Sequence, residues 1–188
     1  LSYSGESFSH TSRTSNTIVG KISNGVNHVR VGIGFDIHKL QTGRKLFLGG
    51  VLLPYARGLA GYSDADVLLH ALCDAFLGAM GKPDIGQLFP DTDSAFKNKA
   101  SVYFVDKVMS IARREKWKPL NIDCIIIADA PKIHPHSVRI RDNIARLLKV
   151  GKEAVAIKAK TTEGILSYSG KGIAAYCVVL IEKQGGKK

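Results

Sequence analysis

SDADVLLHALCDAF, residues 63–76, predicts a helix more clearly than any other stretch of this sequence. Ser63, followed three residues later by Asp66, resembles a capping box, so we predict that the helix begins at Ser63. It should end near Gly78–Gly81, where glycines interrupt the pattern. The apolar residues recur at helical spacing: Val67, Leu68, Ala71, Leu72, Ala75 and Phe76.

Strand-like and helix-like patterns alternate on both sides of this helix. We predict strands at residues 30–35, 45–48, 122–128, 155–159 and 174–182, and helices that run from residue 102 towards Trp117 and from Pro135 to Leu148. Residues 83–93 read as a polar loop and a candidate lid. This order predicts an α/β (α+β) sandwich with one mixed sheet and helices on one face. The bare sheet face would need a partner subunit to cover it.

Length and composition indicate one folded domain. The 188 residues, 45% of them hydrophobic, suffice for a substantial core, which we assign to residues 29–188. Residues 1–28 are rich in Ser, Thr, Gly and Asn, and we expect a flexible extension. A remnant of an organelle transit peptide, or a cloning-derived segment, has the same composition. We therefore expect the cytoplasm if the source is bacterial, and a plastid-type organelle if the extension is a transit remnant.

The charge and the apolar content of the sequence limit the classes of binding partner that we expect. The formal net charge of +11 would suit nucleic acid, but the basic residues are scattered and aromatic residues make up only 7%. A small anionic substrate is served equally well. The longest apolar run, residues 177–181, is too short to cross a bilayer, so we expect no membrane attachment. Cys73, Cys124 and Cys177 are expected to be reduced core residues.

A candidate metal site begins with Asp36 and His38, which stand two residues apart at the end of a predicted strand and so share a face. A catalytic zinc site needs a third protein ligand and an open position. His70 on the long helix is the candidate, with Asp66 or Asp74 one turn away to orient its ring. By spacing alone, a structural His–Asp pair remains the commoner explanation.

Two further segments have the chemistry of phosphate binding. Residues 130–134, APKIH, form a turn whose backbone N–H groups are free for an anion or a base edge, and Lys132 could reach a phosphate. Residues 158–164, KAKTTEG, end a strand with two lysines on one face, followed by two hydroxyls and Glu163. Such a set suits a diphosphate with Mg²⁺, although a solvated strand end is the alternative interpretation.

Five motifs occur in a fixed order along the chain: GFDIH at 34–38, SDADVLLHALCDA at 63–75, DIGQLFPDTD at 84–93, APK at 130–132 and KAKTTEG at 158–164. Each motif is weak alone, and together they are highly specific. In this order they resemble the 2-C-methyl-D-erythritol 2,4-cyclodiphosphate synthase family of the non-mevalonate isoprenoid pathway. The resemblance runs from about residue 29 to the end of the chain.

The resemblance implies a metal-dependent active site. Asp36, His38 and His70 would bind Zn²⁺, and Glu163 would serve Mg²⁺ or Mn²⁺ at the diphosphate. Thr161 matches a residue assigned to transition-state stabilisation, and Lys132 and Tyr62 would assist it. The implied substrate-binding residues are Asp36, His38, Tyr62 and Ser63; Asp84, Ile85, Gly86, Phe89 and Asp91 around the erythritol; Ala128, Ala130, Pro131, Lys132, Ile133 and His134 around cytidine; and Thr161, Thr162 and Glu163 at the diphosphate.

The implied reaction converts 4-diphosphocytidyl-2-C-methyl-D-erythritol 2-phosphate to 2-C-methyl-D-erythritol 2,4-cyclodiphosphate and releases CMP. The enzyme would be a phosphorus–oxygen lyase and a homotrimer with active sites between subunits. A zinc-dependent phosphoester hydrolase and a basic nucleic-acid-binding module are the alternatives that the residues leave open.

Two positions depart from the family pattern. Tyr62 stands where the family usually has His, and a Tyr hydroxyl donates a hydrogen bond without a positive charge near neutral pH. Residues 165–172, ILSYSGKG, replace a longer Gly-rich stretch with an Arg and a Glu, and Lys171 would stand in for the Arg. In the family that stretch helps to hold phosphate and to gate a cavity for an isoprenoid diphosphate.

Overall fold

The computed structural model describes residues 28–97, 99–167 and 169–185, so the predicted extension lies outside the described residues except for His28. Short 3₁₀ turns lie at Ser94–Phe96, His134–His136 and Lys152–Ala154. The strands and α-helices, in chain order, are β1 (Val29–Thr42), β2 (Leu46–Leu48), β3 (Val51–Leu53), β4 (Arg57–Leu59), α1 (Val67–Met80), α2 (Ile85–Leu88), α3 (Ser101–Arg114), β5 (Trp117–Ile127), α4 (Ser137–Leu148), β6 (Val155–Lys160) and β7 (Gly172–Lys183).

The main sheet has five strands in the order β4-β1-β7-β5-β6. The β5–β6 pair is parallel and the other pairs are antiparallel, so the predicted mixed sheet is confirmed. β2 and β3 form a separate two-stranded hairpin.

Helix α1 packs directly on β1, and two glycines make this approach possible. A Cβ atom at Gly34 would lie 1.9 Å from the carbonyl oxygen of Ala71, and one at Gly32 would lie 1.9 Å from that of Ala75. The backbones therefore touch where side chains would otherwise separate them. Apolar side chains of α1, including Leu68, Leu72 and Phe76, fill the core between the helices and the sheet.

The opposite face of β1 and β7 carries apolar side chains in solvent. Val31 is 65% and Ile33 67% exposed, and Phe35, Tyr176 and Val178 continue the patch. The alternation along β1 explains this, because its even-numbered neighbours Gly32 and Gly34 face α1. Among the described residues, no helix has the length and apolar character that a membrane span requires.

The start of α1 differs from the prediction. Its N-cap is Asp66 and not Ser63, and the Asp66 carboxylate accepts from the N–H of Leu69. The same carboxylate accepts from the N–H groups of Gly49 and Gly50, 2.9 and 2.6 Å away. These long-range contacts select Asp66, and Ser63 instead forms a local turn with Ala65. The predicted end is confirmed, with Gly81 in the left-handed conformation.

Other boundaries shift by a few residues. Asp36 and His38 lie inside β1 and not at its end, because pairing with β7 continues past them. Trp117 begins β5 and does not belong to the preceding helix. Pro135 lies in a 3₁₀ turn before α4, and the predicted loop at 83–93 contains α2.

Candidate active site

Three potential metal ligands converge between β1 and α1. Asp36 and His38 point from β1 towards the helix, and His70 lies in the first turn of α1. Asp36 Oδ2 lies 2.9 Å from His38 Nε2 and 3.0 Å from His70 Nδ1, and the two ring nitrogens are 3.2 Å apart. The trio that the sequence suggested is therefore brought together.

The geometry fits a tetrahedral zinc ion. With ligand bonds of about 2.0–2.1 Å, adjacent ligand atoms of a tetrahedral site are about 3.3 Å apart, close to the separations between these three atoms. A carboxylate and two imidazoles are typical zinc ligands, and three of them leave a fourth position open. The side chains are only partly exposed, 24% for Asp36, 21% for His38 and 15% for His70.

The trio is also electrostatically coupled. Burial acts to raise the pKa of Asp36, but hydrogen bonds from His38 and His70 outweigh it and the pKa falls well below its usual range. Burial acts to lower the pKa of His38, but the Asp36 carboxylate outweighs it and the pKa is raised. Asp36 is thus held as an anion, ready to accept from an imidazolium or to bind a cation.

The second ring nitrogen of His70, Nε2, lies within hydrogen-bond distance of two serine hydroxyls. Ser101 Oγ lies 2.9 Å and Ser63 Oγ 3.3 Å from His70 Nε2, and Ser101 is itself hydrogen-bonded to Asp64. The prediction that Asp66 or Asp74 orients this ring is wrong. Asp66 is occupied by backbone N–H groups.

Asp74 is occupied as well, because it accepts from the N–H of Ile85, 2.8 Å away. Ser101 is 31 residues from His70 along the chain, so no local spacing could have identified it.

A cavity of about 460 Å³ opens beside the trio, and we call it the histidine pocket. The expected residues Tyr62, Ser63, Ile85, Gly86, Phe89 and Asp91 line it. Asp84 does not, because its carboxylate caps α2 by accepting from the N–H of Gln87. Phe96 and Phe104, which the sequence analysis missed, add an aromatic wall.

A second cavity, of about 500 Å³, lies where β5 and β6 end, and we call it the strand-end pocket. Ala130 and Pro131, joined by a cis peptide bond, are not among its lining residues. The lining residues are Ala128, Asp129, Lys132, Ile133, His134, Ala159, Lys160, Thr161 and Glu163.

Thr162 faces away from this pocket. Its hydroxyl hydrogen-bonds to Asp129 and to Ser169, and the residue is 2% exposed. Asp129, another residue that the sequence analysis missed, also accepts from the N–H of Gly170 at 2.7 Å. Hydrogen bonds from the backbone and hydroxyl of Thr162 lower the pKa of Asp129. Thr161 donates to Glu163, and both residues line the pocket.

The two pockets lie apart within one chain. Their linings have no residue in common. Ile37 is in register with Ala174, Ala174 with Ile127, and Ile127 with Lys160. The parts of β1 and β6 that border the two pockets therefore lie at the same position along the strand direction. Three strand spacings separate β1 from β6, or about 14 Å.

Comparison with known proteins identifies the relatives. A model of the YgbB family matches residues 29–182. The 2-C-methyl-D-erythritol 2,4-cyclodiphosphate synthase of Syntrophomonas wolfei is 50% identical over 157 residues, which cover 82% of this chain and 99% of that protein. The enzyme of the same name from Fusobacterium nucleatum is 46% identical and covers 83% and 98%.

Solved structures agree. A 2C-methyl-D-erythritol-2,4-cyclodiphosphate synthase in its CDP-bound form has a TM-score of 0.76 at 36% identity, covering 81% of this chain and 99% of that one. The CDP complex of IspF from Plasmodium falciparum has a TM-score of 0.74 at 30% identity, covering 86% and 100%. With the family model spanning β1 to β7, and relatives about half identical over nearly their full length, the chain belongs to the YgbB family, the family of these cyclodiphosphate synthases.

Proposed function

We propose that this chain converts 4-diphosphocytidyl-2-C-methyl-D-erythritol 2-phosphate to 2-C-methyl-D-erythritol 2,4-cyclodiphosphate and CMP. The observation that carries the proposal is the convergence of Asp36, His38 and His70 beside an open cavity in a chain of this family. Residues 29–188 would form a single catalytic domain.

The reaction is an intramolecular phosphoryl transfer. An oxygen of the 2-phosphate forms a bond to the β-phosphorus, and the bond from that phosphorus to the oxygen bridging to CMP breaks. CMP leaves with the bridging oxygen, so no water is consumed and the activity is that of a phosphorus–oxygen lyase. Catalysis then depends on alignment of the two oxygens and on neutralisation of charge, which dominate phosphoryl transfer.

The described residues divide this work between the pockets. Zn²⁺ at the trio, and Mg²⁺ or Mn²⁺ near Glu163, would neutralise phosphate oxygens when bound. The aromatic wall of the histidine pocket suits the methylerythritol carbons, while Tyr62 and Ser63 offer hydroxyls to its oxygens. Lys132 and Thr161 in the strand-end pocket offer donors to the diphosphate beside the cytidine site.

We further propose a homotrimer whose active sites form between adjacent chains. Pockets about 14 Å apart in one chain are too distant for one diphosphate to engage both the trio and Glu163. Pairing of one chain's histidine pocket with its neighbour's strand-end pocket removes that gap. The apolar patch on β1 and β7 supplies a surface for such an assembly.

The activity is tested by incubating the protein with the proposed substrate in ¹⁸O-labelled water with Zn²⁺ and Mg²⁺. We expect CMP and the cyclic diphosphate in equal amounts by ³¹P NMR, both free of ¹⁸O. A zinc hydrolase would instead give a linear product that contains the label. Labelled linear product, or no CMP release, would overturn the proposal.

The assembly is tested by mass in solution and by mixing two inactive variants, His38→Ala and Glu163→Gln. Each is defective in a different pocket, so only sites formed between chains regain both intact halves. When the two variants mix randomly in equal amounts, about half of the shared sites have an intact histidine pocket, and about half of those also have an intact strand-end pocket. About a quarter of the wild-type activity should therefore return. A mixture with no more activity than its components, or an active monomer, would contradict shared sites.

A further inference from the structure

We infer that Asp64 and Ser101 are positioning residues that fix the ring of His70 with its Nδ1 lone pair directed at the metal. The inference rests on the proposed function for the metal itself. It concerns groups that touch neither metal nor substrate and that act through His70.

The arrangement is a chain of three groups with the buried Ser101 in the middle. Ser101 is fully buried at the start of α3, and its Oγ lies 2.9 Å from His70 Nε2. The same oxygen is hydrogen-bonded to Asp64, whose carboxylate also accepts from the N–H of Ser101 at 3.1 Å to each oxygen. Ala100, the N-cap residue of α3, has no capping side chain, so Asp64 caps this helix from a distance.

The direction of the hydrogen bonds follows from the capacity of each group. An ionised carboxylate only accepts, and a serine hydroxyl has one proton. Ser101 therefore donates to Asp64, and its oxygen accepts from Nε2–H of His70. A metal-bound histidine is neutral and has one ring proton. With that proton on Nε2, the Nδ1 lone pair is free for the metal, and Nδ1 is the nitrogen that faces Asp36 and His38.

A reversed chain would block the site. If Ser101 donated to Nε2, the ring proton of a neutral His70 would have to sit on Nδ1, between the ring and the metal position. The Asp64 carboxylate opposes this reversal because its contact with Ser101 Oγ is attractive only while the hydroxyl proton lies between the two oxygens. Ser63, 3.3 Å from Nε2, is a weaker second acceptor because its oxygen already accepts from the N–H of Ala65.

The test measures zinc affinity by chelator competition, together with the exchangeable Nε2 proton of His70 by NMR in the zinc-loaded protein. Ser101→Ala removes the acceptor. Asp64→Asn keeps the size of the side chain but adds an amide donor that lets the Ser101 hydroxyl turn round. We expect zinc to bind about 10- to 100-fold more weakly in both variants, and the Nε2 proton to exchange rapidly in Ser101→Ala.

Controls separate this role from loss of the fold. Ser110→Ala changes an exposed serine of the same helix and should match the wild type in both measurements. Ser101→Thr keeps the hydroxyl and should retain the slowly exchanging proton. Thermal unfolding of the zinc-free proteins reports the loss of the α3 cap, which alone would leave the zinc affinity unchanged.

The outcomes distinguish this inference from the proposed function. Wild-type zinc affinity in Ser101→Ala and Asp64→Asn overturns the inference and leaves the cyclase intact. If both variants bind zinc more weakly but the wild-type protein forms no cyclic product, the cyclase proposal is overturned and the positioning role stands.

Discussion

The histidine pocket and the strand-end pocket are built in different ways. In the first, three partly buried side chains lie within 3.2 Å of one another on a strand and a helix whose backbones touch. In the second, Lys132, Thr161 and Glu163 are exposed on loops, and Glu163 has a φ of 52°. A metal ion needs ligand atoms held at fixed distances, which the close packing of the first pocket provides. A charged substrate can order the exposed side chains of the second pocket when it binds.

The largest effect should come from the histidine pocket. His38→Ala removes one of three ligands, so we expect loss of bound zinc and a fall of about 10³-fold in kcat/KM, since several kcal/mol of charge stabilisation are lost. Metal analysis and CMP release measure both quantities. His28→Ala, an exposed histidine before β1, is the control and should keep both. A full equivalent of zinc in His38→Ala would remove this side chain from the ligand set.

Glu163→Gln should separate the pockets. The variant keeps the size of the side chain and loses its charge, so we expect kcat to fall about 10²-fold, as for one lost electrostatic contact, with zinc content unchanged. Activity titrated against Mg²⁺ should shift to higher concentration. A variant that loses zinc would mean that the two pockets are not independent.

Asp129→Ala should act on the shape of the strand-end pocket. Thr162 and the N–H of Gly170 lose their shared acceptor, which frees the turn that bears Thr161 and Glu163. We expect binding of CMP to weaken about tenfold, as for one or two hydrogen bonds, while zinc affinity stays constant. Calorimetry measures the CMP affinity, and Asp106→Ala on α3 is the control. Unchanged CMP affinity would assign Asp129 a role in stability alone.

The smallest effect is expected from Tyr62→His at the rim of the histidine pocket. An imidazole with a reference pKa of about 6.5 is cationic below that pH, so it adds a positive charge near the phosphates. The gain, about fivefold in kcat/KM for about 1 kcal/mol, should be present at acidic pH and lost as the pH rises above about 6.5. A pH-independent gain would point to shape and not to charge.

Sequence reasoning placed Asp36 and His38 on one strand face and predicted the main helix because both depend on local spacing, whereas the full ligand set with His70 was implied by the family resemblance. The position of His70 on the helix follows from helical periodicity around residues 67–76, and the shared face of Asp36 and His38 from alternation in a strand. Capping residues were harder to predict. The capping-box pattern favoured Ser63, and only the contacts of Gly49 and Gly50 with Asp66 explain why Asp66 caps the helix instead.

The partners of His70 and Thr162 were missed for a related reason. Ser101 and Asp129 lie 31 and 33 residues from the groups that they contact. Neither stands in a motif whose spacing suggests the contact. Only the packing of α3 against α1, and of the β5 end against the β6 end, brings them together.

Gly34 sets how closely the strand and the helix that carry the proposed metal ligands approach each other. It lies two residues before Asp36, and the atom that a Cβ there would strike belongs to Ala71, the residue after His70. An added methyl group would therefore push β1 and α1 apart and lengthen the distances between the ligands on the strand and the ligand on the helix. Zinc tolerates displacements of only about 0.2 Å in its ligand distances. The absence of a side chain at this position would therefore help to form the proposed zinc site, although glycine contributes no ligand atom.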